Sequence, residues 1–258
     1  MPDKDALYIY GIVKNGYNWK YLGKGLNEEN VCTLKEGNFS AFVHDCEEKP
    51  YISEDPNKIK ELIIAHNKIL NKAMKDFKGV IPLPFNTIIK KSENSAEYNL
   101  KKWLNDNKER LEKIWNKIEG KREYGIRIYC EQDKLIQEAS DNTEIKEIEK
   151  SHEGKGEGLS YLLKGKASYK INEIVQNRIN QFKQKFYDDV KTVADEIKVN
   201  VSRISISEEK DLLLALSILV NEDKVDKIKR ILEKNKDFSF QLAGPFAPYS
   251  FAENEAKH

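Results

Sequence analysis

The order of strand-like and helix-like segments in the first half of the chain constrains its fold most. Residues 7–13 and 39–43 are β-rich apolar runs, and residues 31–34 are placed to pair with the second run as a hairpin. A helix is then predicted to start at Asp55-Pro56, because aspartate caps helix starts and proline suits the first helical position. Apolar residues three and four apart continue this helix over 59–77.

The segments that follow complete the first predicted domain. Gly79 stands where a left-handed helix end is expected, and the two prolines of residues 80–87 predict an edge or bulged strand. A second amphipathic helix is predicted to end at Gly120, with its stripe over 96–118, and residues 124–130 alternate as a half-buried strand. The order β-ββ-α-β-α-β predicts a ferredoxin-like α+β domain over residues 1–135.

The second half predicts another α+β domain after a charged boundary. Residues 136–158 are rich in Lys, Glu and Gly and predict a linker. A helical pattern over 159–197, broken near Gly165, leads to a hairpin made from strands at 199–206 and 212–220. With a short helix after Asn221 and a last strand at 238–242, we expect a modified ferredoxin-like domain over 159–243 and a C-terminal tail over 244–258.

The composition is that of a soluble globular protein. Of the 258 residues 39% are hydrophobic and 34% charged, and the apolar run 212–220 is shorter than the ~18 residues of a membrane span. The start of the chain has no secretory signal pattern and the three cysteines are scattered, which predicts a cytoplasmic protein with no membrane partner. A net charge of +1 is unlike the basic excess of most nucleic-acid binders.

Neither cofactor nor metal is predicted. Gly154, Gly156 and Gly158 follow a charged helical stretch instead of a strand, so a flexible linker is favoured over a phosphate loop. The four histidines are dispersed, without the spacing of metal ligands. His66 lies on the apolar stripe of the first helix, which favours a packed, hydrogen-bonded role over a catalytic one.

RNA binding is the leading alternative from another class, and an uncharacterised enzyme is the third. Ferredoxin-like sheets can present aromatic residues for base stacking, and Tyr8 and Tyr10 would be the candidates. The sequence lacks the glycine- and aromatic-rich string of RNA-recognition modules, and both tyrosines are equally explained by packing of a strand on a helix.

The tail is unusually apolar for a chain end. End segments stay disordered unless they are tied down, but this one combines two prolines with three aromatic residues, namely Pro245, Phe246, Pro248, Tyr249 and Phe251. We expect it to dock, with anchoring within the chain favoured over direct contact with a partner.

This tail resembles the C-terminal signature of the gas vesicle F/L protein family, Gly-Pro-Trp-Pro-Pro-Tyr-Ser-Phe. The matching residues are Gly244, Pro245, Pro248, Tyr249, Ser250 and Phe251. Two positions differ, because Phe246 stands where the family usually has Trp and Ala247 where it usually has Pro.

Further segments resemble the same family in the same order. Residues 80–87 are similar to its Leu-Pro-Val-Arg-Phe-Gly-Thr segment and keep Pro82 and Phe85, whereas Pro84 replaces the usual Arg. Weaker matches lie at 7–13, 123–128, 158–162 and 217–220, and His66 falls on a helix where the family often has a histidine.

The resemblance implies a non-enzymatic accessory protein of gas vesicle assembly. Its implied partners are the gas vesicle shell protein and other accessory proteins, in the cytoplasm or on the vesicle as a minor component. The candidate interface residues are those that match the family's motifs together with the variant aromatic: Pro82, Phe85, Gly244, Pro245, Phe246, Pro248, Tyr249 and Phe251.

Overall fold

The computed structural model describes residues 5–151, 156–200, 211–235 and 238–252, which form two compact units. The first unit contains residues 5–124, 219–222 and 244–252. The second contains the remaining described residues, 125–151, 156–200, 211–218, 223–235 and 238–243. Both helices and strands occur in each unit, as the α+β prediction requires.

The first unit is built on a six-stranded sheet. Its strands are β1 (Ala6–Lys14), β2 (Tyr21–Lys24), β3 (Asn30–Glu36), β4 (Phe39–Cys46), β5 (Ile81–Pro82) and β6 (Ile88–Lys90). The order is β2-β3-β4-β1-β5, with β6 also paired to β1. Residues 6–13 are all buried, so both faces of the central strand are covered. The strands predicted at 7–13 and 39–43 are confirmed, and so is the hairpin of β3 with β4.

The first helix has the predicted start and a different end. In α1 (Pro56–Asp76) the Asp55 side chain accepts a hydrogen bond from the Asn57 N–H at 2.9 Å, which confirms the cap. The left-handed end predicted at Gly79 is wrong. The chain leaves the helix through Phe77, which is extended at φ −129°, and the Phe77 N–H donates to the Ala73 carbonyl. This extended exit leads the chain towards β5.

The second predicted helix is two helices, α2 (Ala96–Asp106) and α3 (Lys108–Ile118). Asn107 separates them with ψ 10°, and its side-chain amide donates to the Trp103 carbonyl at 2.9 Å. Asparagine side chains compete with the backbone for hydrogen bonds in this way, which an apolar stripe alone does not reveal.

The second unit holds most of a four-stranded sheet and four helices. The sheet has the order β10-β7-β9-β8, made from β7 (Lys121–Cys130), β8 (Glu196–Val199), β9 (Asp211–Asn221) and β10 (Ser239–Phe246). The helices are α4 (Gln132–Ser140), α5 (Thr143–Lys150), α6 (Glu157–Lys191) and α7 (Val225–Glu233). The other three pack against α6.

The observed division differs from the predicted boundaries of 1–135, 136–158 and 159–243. The strand predicted for the first domain, β7, pairs with β9 and β10, because sheet membership depends on distant residues. Helices α4 and α5 occupy most of the predicted linker, and their Leu135, Ala139 and Ile145 are buried. The Lys- and Glu-rich composition of this span is that of helices with one solvated face.

Two other predictions for this half have separate outcomes. The break predicted near Gly165 is wrong, since α6 is one continuous helix. Strand β9 covers the strand predicted at 212–220 and pairs with β8, but β8 shares only Val199 with the strand predicted at 199–206. Residues 201–210 lie outside the described residues, so the hairpin stays a prediction. Among the described residues four strands precede the first α-helix, while a ferredoxin-like order has a helix after the first strand. The ferredoxin-like assignment stays a prediction.

Candidate interaction site at the C-terminal segment

Two tyrosines and two histidines meet in the core of the first unit. Tyr8 and Tyr10 are two residues apart in β1, so their side chains lie on one face of the sheet. His44 comes from β4, where it is the register partner of Tyr8, and His66 comes from the buried face of α1. None of the four is more than 3% exposed. The buried face of α1 and the shared face of Tyr8 and Tyr10 in β1 therefore place polar groups in an apolar core. Buried polar groups need hydrogen-bond partners.

His66 joins β1 to residues 244–252, the C-terminal segment. Its Nδ1 lies 2.8 Å from the hydroxyl of Tyr8, and its Nε2 lies 2.9 Å from the hydroxyl of Tyr249. The backbone N–H of Asn86 also donates to the Tyr8 hydroxyl at 3.2 Å. A neutral imidazole has one donor and one acceptor nitrogen, so one tyrosine donates to the ring and the other accepts from it.

His44 forms a second bridge of the same kind. Its Nδ1 lies 3.0 Å from the hydroxyl of Tyr10, and its Nε2 lies 2.9 Å from the hydroxyl of Tyr51. The backbone N–H of Leu26 donates to the Tyr10 hydroxyl at 2.9 Å. Gly25 makes this approach possible, because a Cβ atom there would lie 1.9 Å from the Tyr10 oxygen.

Burial keeps His66, Tyr8, Tyr10 and Tyr51 uncharged at neutral pH. It lowers the pKa of His66 from 6.5 to about 4. Burial likewise raises the pKa of Tyr8, Tyr10 and Tyr51 well above the usual value of 10.0. Hydrogen bonds from the Asn86 N–H to Tyr8 and from the Leu26 N–H to Tyr10 lower these pKa values, but only in part. Neutral, hydrogen-bonded groups in a packed core fix side-chain positions. The arrangement around His66 is thus suited to holding the C-terminal segment in place.

Asn86 ties the segment 80–87 to the same network. Its backbone is left-handed at φ 68°. Its side chain accepts from the Tyr51 N–H at 2.8 Å and donates to the Tyr51 carbonyl at 3.1 Å. Asparagine tolerates the left-handed region better than most residues, so Asn86 suits this position.

The C-terminal segment begins with a tight approach of two backbones. Gly244 lies within β10 with φ 136°, and the Gly244–Pro245 peptide is cis. A Cβ atom at Gly244 would lie 2.7 Å from the Tyr124 ring and 3.0 Å from the Glu123 carbonyl oxygen. Only glycine fits this position without displacement of its neighbours.

Beyond this point the segment is anchored within the first unit. Its last turn, α8 (Tyr249–Ala252), is held by Glu123, whose carboxylate accepts from the Ser250 N–H at 2.9 Å and from the Ser250 hydroxyl at 2.5 Å. Phe251 is 2% exposed, and the Lys117 ammonium lies 5.8 Å from its ring centroid. Hydrogen bonds to a buried carboxylate are stronger than neutral ones, so Glu123 is a main anchor of this turn.

Phe246 differs from the other aromatic residues of the segment, because 47% of it is exposed. The neighbouring Pro245 is also exposed and lines an open pocket of about 450 Å³ together with Met74, Lys75 and Arg122. The segment therefore has an anchored part, 247–252, and an exposed part at Pro245 and Phe246.

The structure brings together only some of the predicted site residues. Phe85 and Tyr249 meet at His66, since the Phe85 and His66 ring centroids are 6.0 Å apart. Pro82 and Pro248 are buried, the former in β5 opposite Gly11. Gly244, Pro245, Phe246 and Phe251 have the positions given above.

Sequence reasoning missed four contributors, namely His44, Tyr51, Asn86 and Glu123. His44 and Tyr51 became visible only through the register of β1 with β4. Glu123 lies in a segment that matches the family pattern, but nothing local assigns it to Ser250, which is 127 residues away.

Grouped metal ligands and membrane-spanning helices are both absent from the part of the chain that the structure describes. Within it, no three His, Cys, Asp or Glu side chains are grouped as metal ligands. No helix there combines the length and apolar composition of a membrane-spanning segment. Both ring nitrogens of His66 already have hydrogen-bond partners.

A family model described as "Gas vesicle synthesis protein GvpL/GvpF" matches residues 6–253. The chain is 26% identical over 238 residues to gas vesicle protein L of Haloferax mediterranei, an alignment that covers 88% of this chain and 72% of the relative.

Two solved structures of gas vesicle protein GvpF have a similar fold. The protein from Anabaena sp. PCC7120 gives a TM-score of 0.75 at 23% identity, covering 96% of this chain and 98% of that one. The protein from Microcystis aeruginosa gives a TM-score of 0.67 at 21% identity, covering 96% and 99%. At these identities the likeness concerns the fold.

Proposed function

Because the chain belongs to the gas vesicle synthesis protein GvpL/GvpF family and so takes part in gas vesicle formation, we propose that it is a non-enzymatic assembly factor. It binds the gas vesicle shell protein, other accessory proteins of the vesicle, or both, in the cytoplasm. The match of the family model over residues 6–253 is the observation that carries this proposal.

The physical chemistry of a shell subunit explains why such a factor is needed. A subunit that buries apolar faces in a polymer exposes those faces while it is free, and exposed apolar patches and strand edges promote aggregation. A binding partner that covers them keeps the subunit available for assembly.

We assign two roles within the C-terminal segment. Pro248, Tyr249 and Phe251 hold the segment, together with Pro82 and Phe85 beneath it. Phe246 and Pro245 contact the partner, with Gly244 setting their position. Support for this division comes from burial, since Phe251 is 2% exposed and Phe246 is 47% exposed. Aromatic residues are enriched among the side chains that dominate protein interfaces.

The experiment compares two truncations of exposed aromatic residues in the first unit. Phe246→Ala should reduce capture of vesicle proteins from cells that make vesicles, while leaving the melting temperature unchanged. Tyr98→Ala is the matched control, because Tyr98 is 53% exposed and lies outside the segment. Equal capture by Phe246→Ala and the control would contradict the assigned contact, and no capture by the unmodified chain would contradict the proposed function.

The RNA-binding alternative is not supported. Its candidate stacking residues, Tyr8 and Tyr10, are 0% exposed and are hydrogen-bonded to His66 and His44. The relatives and solved structures above are named as gas vesicle proteins.

A further inference from the structure

An open groove of about 820 Å³ runs along the outer face of α1 in the first unit. The edge strand β2 and the turn that follows it form its other wall. None of its lining residues belongs to the C-terminal segment, but Asn71 and Lys75 also line the pocket at Pro245. Its lining residues from α1 are Ile64, Asn67, Lys68, Ile69, Asn71, Lys72 and Lys75, and from the other wall Leu22, Gly23, Lys24 and Glu28.

The charge of this groove is strongly one-sided. Four lysines line it, Lys24, Lys68, Lys72 and Lys75, against the single carboxylate of Glu28. The whole chain, by contrast, has 44 basic and 43 acidic residues. Among the described residues, none of these four ammonium groups has a carboxylate oxygen within 4.0 Å. Positive charge has thus accumulated here without a close carboxylate among the described residues.

The helix wall has the spacing of a continuous docking face. Ile64, Lys68 and Lys75 follow one another by four and seven residues, so they lie along one side of α1. From Ile64 to Lys75 this side is roughly 16 Å long, at 1.5 Å per residue. Ile64 is 57% exposed and supplies an apolar contact at one end. Lys72 is held differently, since its ammonium group donates to the Leu22 carbonyl and ties the two walls together.

The lining favours an acidic protein segment over a nucleic acid. Single-stranded nucleic acids are bound by positive grooves that also offer aromatic rings for base stacking, and none of the lining residues is aromatic. An exposed isoleucine beside lysines and the side-chain amides of Asn67 and Asn71 instead matches an amphipathic peptide with carboxylates and one apolar anchor.

We propose that the groove between α1 and β2 binds an acidic amphipathic helix of a protein partner. Its carboxylates pair with Lys24, Lys68 and Lys75, and one apolar side chain covers Ile64. The inference rests on the proposed function only in taking the partner to be a vesicle protein. Pairing at a partly exposed surface makes this binding fast and sensitive to salt.

The direct test uses the full chain and two synthetic helical peptides. One peptide carries glutamates at positions i, i+4 and i+7 beside a leucine, and the other carries glutamines in their place. Fluorescence anisotropy should show the glutamate peptide bound about tenfold more tightly at low salt, a preference that shrinks as the salt concentration rises past physiological values. Equal affinity for the two peptides would overturn the proposal.

A charge-reversal experiment tests whether the peptide binds in the groove. Lys68→Glu with Lys75→Glu should abolish the preference for the glutamate peptide. Lys58→Glu with Lys60→Glu makes the same charge change on exposed positions of α1 outside the groove lining. This control variant should retain most of the preference for the glutamate peptide. Equal loss in both variants would overturn the assignment. Lys68→Gln with Lys75→Gln, a milder change expected to weaken binding about 2- to 30-fold, decides the matter if the reversed chain does not fold.

Two further measurements distinguish this proposal from nucleic-acid binding and from the proposed function. A single-stranded RNA oligonucleotide that bound the groove more tightly than the glutamate peptide, and was released by the same reversal, would overturn the proposal in favour of nucleic acid. If the chain binds the glutamate peptide through the groove but captures no vesicle protein, the groove stands and the proposed function fails. If the chain captures vesicle proteins equally with and without the reversal, the proposed function stands and the assignment of a vesicle protein to the groove is overturned.

Discussion

Acidification should destabilise the protein through His66 before most carboxylates are protonated. The pKa of His66 is about 4 in the folded chain, because burial disfavours its charged form, and 6.5 without that burial. Between these pH values the unfolded chain binds more protons than the folded one. The free energy of unfolding therefore falls as the pH falls from about 6.5 towards 4.

The magnitude follows from this difference in pKa. A shift of one pKa unit corresponds to about 1.4 kcal/mol, and linkage then gives losses of about 1.2 kcal/mol at pH 5.5 and about 1.8 kcal/mol at pH 5.0 relative to pH 7. A typical domain has only about 5–15 kcal/mol of stability in total, so the effect is large enough to measure by urea unfolding.

The assay compares the unmodified chain with His66→Gln at several pH values. Glutamine can donate and accept hydrogen bonds but does not titrate, whereas the carboxylates titrate in both proteins. The difference in unfolding free energy between the two should shrink by the amounts given above as the pH falls from 7 to 5. A difference that stays constant over this range would refute the reasoning, because it would mean that His66 has the same proton affinity in both states.

Three substitutions test the other contacts of the first unit, each by urea and thermal unfolding. Phe251→Ala should lower the free energy of unfolding by about 3–5 kcal/mol, since the ring is 2% exposed and its removal leaves a cavity. Glu123→Gln should cost about 1–3 kcal/mol, because it replaces the charged acceptor of both Ser250 hydrogen bonds. Gly25→Ala should cost about 1–3 kcal/mol or more, because the added Cβ would lie 1.9 Å from the Tyr10 hydroxyl oxygen.

Matched controls make the Phe251 and Gly25 results specific. Phe246→Ala removes the same ring from a site that is 47% exposed, and it should change stability by less than about 0.5 kcal/mol. Gly125→Ala adds a Cβ that meets no atom within 4 Å. If Phe251→Ala cost no more than Phe246→Ala, the segment would not be anchored as described, and a similar cost for both glycine changes would contradict the steric argument.

Local sequence patterns predicted the elements whose causes are local. The cap at Asp55 and the strand at 7–13 depend on neighbours within a few residues, and both are observed. The division of the helix at Asn107 and the extended exit at Phe77 depend on single hydrogen bonds that periodicity does not report.

The sequence did not predict which sheet β7 joins or which residues bind His66, and the reason is different. Each depends on contacts between distant residues, such as Tyr249 with His66, 183 positions apart. The position of His66 on an apolar stripe predicted a packed and hydrogen-bonded histidine, and that is what the structure shows. Its partners required the packing of α1 on β1 and the path of residues 244–252.

Deletion of the gene in a vesicle-forming cell tests the central claim most directly. Electron microscopy should show cells without gas-filled vesicles, and a plasmid copy of the unmodified chain should restore them. Normal vesicles in number and shape after the deletion would contradict the account of this chain as an assembly factor.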